Sequence, residues 1–110
     1  IDRTDEQVAK MYNPLHPSVL RLIEMSISAA LKGRIPISIC GEIAGDPRFT
    51  ALLLGLGVRE LSMSAHTILA VKQRVREIDL SAASERAGGI MAQSDSGRIA
   101  MLLDDFNALV

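Results

Sequence analysis

Two runs in this chain, Ile35 to Ile39 and Val58 to Met63, carry apolar residues in patterns too short for helices, and a polar loop and a helical apolar stripe follow each of them. In the first, Ile35, Ile37 and Ile39 alternate and are β-branched, as in a buried strand. That strand must stop at Gly41, and the only cysteine, Cys40, stands at its end with Glu42 just beyond. In the second, Val58, Leu61 and Met63 are apolar, and Ser62 and Ser64 bracket the end. Strand, loop and helix, repeated, make up the half-unit of a parallel sheet, where reactive side chains gather at the C-terminal ends of strands. Two buried parallel strands leave uncovered edges and faces, so partner strands are expected from a missing N-terminal part of the sheet or from another copy.

The helices around these runs are legible from their stripes and caps. Asp5 to Tyr12 suggests a short helix or turn, broken at Asn13-Pro14. Pro17 suits a first helical position, and Val19, Leu20, Ile23, Ile27, Ala30 and Leu31 give an amphipathic helix from Ser18 to Lys32, with Gly33 free to take the left-handed terminal conformation. Asp46 before Pro47 can cap a helix over Arg48 to Leu56, closed by Gly55 and Gly57. Ser64 is placed to cap another from about Ala65 to Ile78, with Lys72, Arg74 and Arg76 on a solvated face. Ser81 to Gln93 is helical but contains Gly88-Gly89, predicting a kink or an early end. After a turn and cap at Ser94 to Gly97, Ile99 to Leu109 forms a short amphipathic docking helix.

With 110 residues there is room for one domain or a piece of one, and Ile1-Asp2-Arg3, without an initiator methionine, reads as the start of an excised piece. A net charge of −1 gives no polybasic footprint for nucleic acid or an acidic membrane surface. No apolar run is long enough to span a bilayer, and the polar N-terminus is not a signal peptide. One cysteine cannot form an internal disulfide, so a reducing compartment, the cytoplasm, is expected.

Three stretches in register resemble the C-terminal part of enzyme I of the phosphoenolpyruvate-dependent phosphotransferase system. They are Asp2-Arg3, then Ser38-Ile39-Cys40-Gly41-Glu42-Ile43-Ala44-Gly45-Asp46, then Leu53 to Val58 with Leu61-Ser62-Met63-Ser64. The resemblance runs from residue 1 to about residue 78. It implies an α/β fold, the last two parallel strands of a TIM (β/α)₈ barrel with their helices over residues 1–78, and a helical tail over 79–110. It also implies an enzyme that moves the phosphoryl group of phosphoenolpyruvate to a histidine on its own swivelling domain and on to a histidine-containing phosphocarrier protein. The family's essential cysteine falls on Cys40, which would protonate the enolate of pyruvate. A thiol suits that task, being mostly protonated near neutrality yet acidic enough to deliver a proton to carbon. The family's phosphate-binding arginine falls on Arg3, whose planar guanidinium can grip phosphate in bidentate fashion. Gly41 and Glu42 match motif positions and are given supporting roles. The Mg²⁺ carboxylates, the other phosphate arginines and the phospho-accepting histidine are expected upstream of Ile1, leaving no metal ligand here and an inactive isolated piece. A homodimer is implied, and the tail after Asp79 points to the nitrogen-related branch.

Two alternatives accompany this reading: a pyruvate phosphate dikinase or phosphoenolpyruvate synthase sharing the barrel and the cysteine, and a non-catalytic dimerisation or regulatory module. Without the motif, Cys40 reads as a small buried hydrophobe and Arg3 as a solvated terminal charge. His16 and His66 are expected in local hydrogen bonds, Glu42 and Asp46 make only a weak metal pair, and the five methionines read as scattered core fillers.

Overall fold

A computed structural model describes residues 1–110. After a one-turn helix α1 (Glu6–Ala9), whose Asp5 cap accepts from the Gln7 N–H, the long helix α2 (Pro17–Gly33) begins with proline in its first turn. His16 caps it, its Nδ1 accepting from the Ser18 N–H at 3.1 Å. The expected exit at Gly33 is shifted by one residue. Gly33 is still helical, and Arg34 takes the left-handed conformation at φ 53°. The closing bonds explain why: the Arg34 N–H reaches Leu31 O and the Ile35 N–H reaches Ala30 O, a pairing that requires the first residue past the helix to be left-handed.

The two strands are β1 (Ser38–Cys40) and β2 (Glu60–Ser62), shorter than the apolar runs that announce them. They pair in parallel, Ser38 opposite Glu60, Ile39 opposite Leu61 and Cys40 opposite Ser62. Alternation sends Ile39 and Leu61 toward the helical core, while Ser38, Cys40, Glu60 and Ser62 are exposed. Thus neither strand is buried on both faces as the sequence suggests. Ile35, 63% exposed, lies outside the ladder altogether. The result is an α/β fold whose small parallel sheet is covered by helices on one face.

Between the strands run α3 (Glu42–Gly45) and α4 (Pro47–Leu56). Asp46 caps α4 as expected, Oδ1 accepting from the Arg48 N–H at 3.0 Å, and Gly57 closes it at φ 115°. After β2, Ser64 makes no side-chain cap. A 3₁₀ turn over Ala65–Thr67 intervenes, held by the Thr67 hydroxyl on Ser64 O, and α5 (Ile68–Glu77) starts three residues late. Helix α6 (Leu80–Met91), capped by Asp79, passes unbroken through Gly88-Gly89 because Ala83, Ala87 and Ile90 on its other face are buried. Helix α7 (Ser96–Leu109), capped by Asp95, docks on this chain's own α6 and α4.

One apolar cluster joins these pieces, centred on Phe49, Leu52 and Leu53 of α4 and receiving Ile27 from α2, Ala87 from α6 and Leu103 from α7. Helices α4 and α6 approach so closely that a Cβ at Gly55 would stand 2.6 Å from Ala83 O. Arg74, expected on a solvated face, is instead only 16% exposed, and its guanidinium donates to Asn107 O and Oδ1 and to Val110 O at the negative end of α7. The α2 stripe is narrower than its sequence pattern, with Val19 and Leu31 on the surface. Met11, Met25 and Met101 are exposed rather than core fillers.

Candidate functional site

The C-terminal ends of the two strands lie side by side, because the register pairs Cys40 with Ser62. Cys40 is a free, exposed thiol on the open face of the sheet, not the small buried hydrophobe that an isolated cysteine suggests. Immediately after it the backbone turns through Gly41 at φ 87° and ψ −161°, a conformation that only glycine adopts without strain. This turn sends Glu42 into the first turn of α3 and into a cleft of about 880 Å³ beside the strand ends. Three segments wall the cleft: the N-terminal stretch with Arg3 and Tyr12, the Gly41-to-Phe49 loop and helix start, and the Ser62-to-Thr67 turn. Gly45 lets the second and third meet, since a Cβ there would stand 3.0 Å from Thr67 Oγ1.

Within this cleft Arg3 Nη1 lies 2.7 Å from Glu42 Oε1, and its guanidinium sits 5.7 Å from the centroid of the Tyr12 ring. The hydrogen bond that Arg3 donates to Glu42, and then the Glu42 charge, raise the Arg3 pKa above its ordinary value, so this group is a permanent cation. Next to it, Asp2 Oδ1 accepts from the Thr4 hydroxyl at 2.7 Å and the Thr4 N–H at 2.9 Å, and these bonds hold the Asp2 carboxyl below its ordinary pKa. Arg48 also lines the cleft, 3.5 Å from Asp46 Oδ2 and stacked over Phe49.

The structure therefore gathers Arg3, Gly41 and Glu42 in one cleft. Cys40 precedes Gly41 at the edge of that cleft and is not part of its lining. Tyr12, Arg48 and His66 line the cleft without having been singled out for it. His66 makes no hydrogen bond through its ring, contrary to the local role expected of it, whereas His16 has that role. A signal for Tyr12 was present in the sequence, as the one tyrosine beside a proline-rich turn, but its nearness to Arg3 depends on the path of the chain after α1. Glu42 and Asp46 do not form a metal pair: one is bound to Arg3, the other to the start of α4. No three carboxylate, histidine or cysteine side chains of this chain come together as metal ligands. No helix is long and apolar enough to cross a membrane.

Residues 1–80 match the family described as PEP-utilising enzyme, PEP-binding domain. The chain belongs to that family. Among curated relatives, the phosphoenolpyruvate-protein phosphotransferase of Cupriavidus necator is 49% identical over 75 residues, covering 68% of this chain and 13% of the relative. The protein of the same name from Haemophilus influenzae is 38% identical over 106 residues, covering 96% and 18%. The multiphosphoryl transfer protein 1 of Escherichia coli K12 is 42% identical over 87 residues, covering 79% and 10%. The chain thus spans between about a tenth and a fifth of the length of these relatives.

Proposed function

We propose that this chain is part of a phosphoenolpyruvate-protein phosphotransferase, and that it supplies the proton donor and one phosphate-binding arginine of the reaction. The observation that carries the reading is the free thiol of Cys40 at the C-terminal end of β1, next to the cleft that holds Arg3. The names of the relatives supply the substrate of the proposed reaction, phosphoenolpyruvate, and its acceptor, a protein.

In the proposed sequence Arg3 holds phosphate oxygens through paired N–H donors while the P–O bond to the enol oxygen breaks and phosphorus bonds to a histidine nitrogen outside this chain. The electron pair of the broken bond leaves the enolate of pyruvate. The Cys40 S–H then gives its proton to the methylene carbon, forming the methyl group of pyruvate, and the thiolate is reprotonated by water. A cation over the phosphate and an acid over the carbon answer the two places where charge moves. Mg²⁺, when bound by residues outside this chain, would neutralise phosphate charge. The parallel pairing of β1 and β2, with Ile39 and Leu61 packed on the helical core and Cys40 on the open face, supports placing them as the last two strands of a (β/α)₈ barrel with the Cys40 face inward. A histidine-containing carrier is the onward acceptor, and a cytoplasmic homodimer is the proposed state.

The test is phosphoryl transfer in the full-length protein that contains this chain. Transfer from phosphoenolpyruvate to a carrier protein without nucleotide is the expected result, whereas dependence on ATP would indicate a dikinase or synthase, and no transfer a scaffold. Cys40→Ala should lower turnover about 10²- to 10⁴-fold, the usual weight of a positioned general acid, with substrate binding kept. Normal turnover in that variant would refute the proton-donor role.

A further inference from the structure

Two side chains hold the Arg3 guanidinium from different directions. Glu42 Oε1 takes Nη1 at 2.7 Å, and the Tyr12 ring lies under the cation at 5.7 Å. Arg3 makes no other side-chain hydrogen bond, so its Nε and Nη2 donors, the edge that matches two oxygens of a tetrahedral anion, remain unused. All three residues line the same cleft. The stability of the fold gives little reason for the arrangement, because the Arg3 and Glu42 side chains are 50% and 66% exposed, and pairs in water contribute little to folding. The backbone nevertheless adopts the glycine-only conformation at Gly41 just before the residue that makes the pair.

We propose that Glu42 and Tyr12 are positioning residues for Arg3, fixing one corner and one face of its guanidinium so that the free edge is presented to the phosphate of the substrate. This rests on the reading of Arg3 as a phosphate ligand. A flexible arginine must be ordered at the moment of binding; one already anchored gives up less freedom for each hydrogen bond it forms. Glu42 engages a corner, not the fork, so its carboxylate need not leave when phosphate arrives. The opposite arrangement, in which Glu42 blocks the anion site until displaced, reverses the sign of every effect below.

The experiment is steady-state phosphoryl transfer from phosphoenolpyruvate in the full-length protein, with melting temperature followed in parallel. Glu42→Ala should raise KM for phosphoenolpyruvate about tenfold with kcat nearly unchanged, the pattern of lost substrate binding rather than lost chemistry. Glu42→Gln, which keeps an acceptor oxygen for Nη1, should recover most of that loss. Tyr12→Leu should raise KM about two- to threefold, as fits an exposed cation over a ring, and Tyr12→Phe should not. None should move the melting temperature. A lower or unchanged KM in Glu42→Ala, a loss confined to kcat, or a loss that tracks melting and is not recovered by Gln, each overturns the proposal. If the wild-type protein itself transfers no phosphate, the functional reading falls and takes this one with it. If the wild type is active and Glu42→Ala behaves like it, only the positioning role falls.

Discussion

Leu52 and Leu53 in the middle of α4 have no accessible surface, while Cys40 and Glu42 at the end of β1, and Arg3 across the cleft, are all exposed. The helical side is dry and closed, with side chains from α2, α4, α6 and α7 filling one cluster. The strand side is open, polar and shaped by the backbone turn at Gly41 and the close approach at Gly45. Buried packing thus lies on one side of the two-stranded sheet, and the exposed candidate residues lie on its open face and at its C-terminal end. Substitutions should sort accordingly, with energy lost on one side and function on the other.

The sharpest break would come from Leu52→Ala. Removing a fully buried side chain at the centre of the cluster should cost about 2–5 kcal/mol in urea unfolding of this chain. A loss under about 1 kcal/mol would mean that the helical layer repacks freely and is not the source of stability. Gly41→Ala tests the other side. Nothing lies within 4 Å of the new Cβ, so the cost of about 1–3 kcal/mol comes from backbone conformation alone. Unchanged unfolding would show that the turn relaxes and that the position of Glu42 does not depend on it. Thr50→Val sharpens the comparison inside the core. The Thr50 hydroxyl is buried without a partner, so an apolar group of equal shape should leave stability unchanged or raise it by up to about 1 kcal/mol. A clear loss in thermal unfolding would reveal a bond to that hydroxyl.

The smallest effect belongs to the rim. The Asp2 pKa is lowered from 3.8 by Thr4, so the folded turn favours the ionised carboxylate. Its contribution is present above pH 3.8 and fades as pH falls through the lowered value. The Thr4 amide resonance should shift with a midpoint below 3.8; a midpoint at or above it would mean that the turn does not form.

The sequence carried most of the helical side. Pro17, Asp46 with Pro47, Gly57 and Asp95 mark helix ends whose chemistry is local, and the stripes of α4 and α7 name buried residues such as Leu52, Leu53, Leu103 and Phe106. Local rules failed where a distant contact decided the outcome. Gly88-Gly89 did not end α6, because the face opposite that pair packs against α4. Arg74 left its expected solvated face for the carbonyls of α7, some 33 to 36 positions away. Ile35 and Ile37 look like strand residues, but a ladder needs a neighbour, and β2 supplies one only from Ser38 to Cys40. On the rim, the motif brought Cys40, Gly41, Glu42 and Arg3 into view together. The grip of Glu42 and Tyr12 on Arg3 depends on how the chain folds back after α1, which no periodicity encodes.

The Asn107 side chain donates to Arg48 O at 2.9 Å, reaching across 59 residues of sequence, and Asn107 also receives Arg74. Helix α7 therefore acts as a strut beneath the first turn of α4, which carries Asp46 and Arg48 at one wall of the cleft. Removing residues 107–110 would leave Leu52 and Leu53 in place and yet slacken that wall, so under the proposed function a change far from the thiol is felt as looser substrate binding.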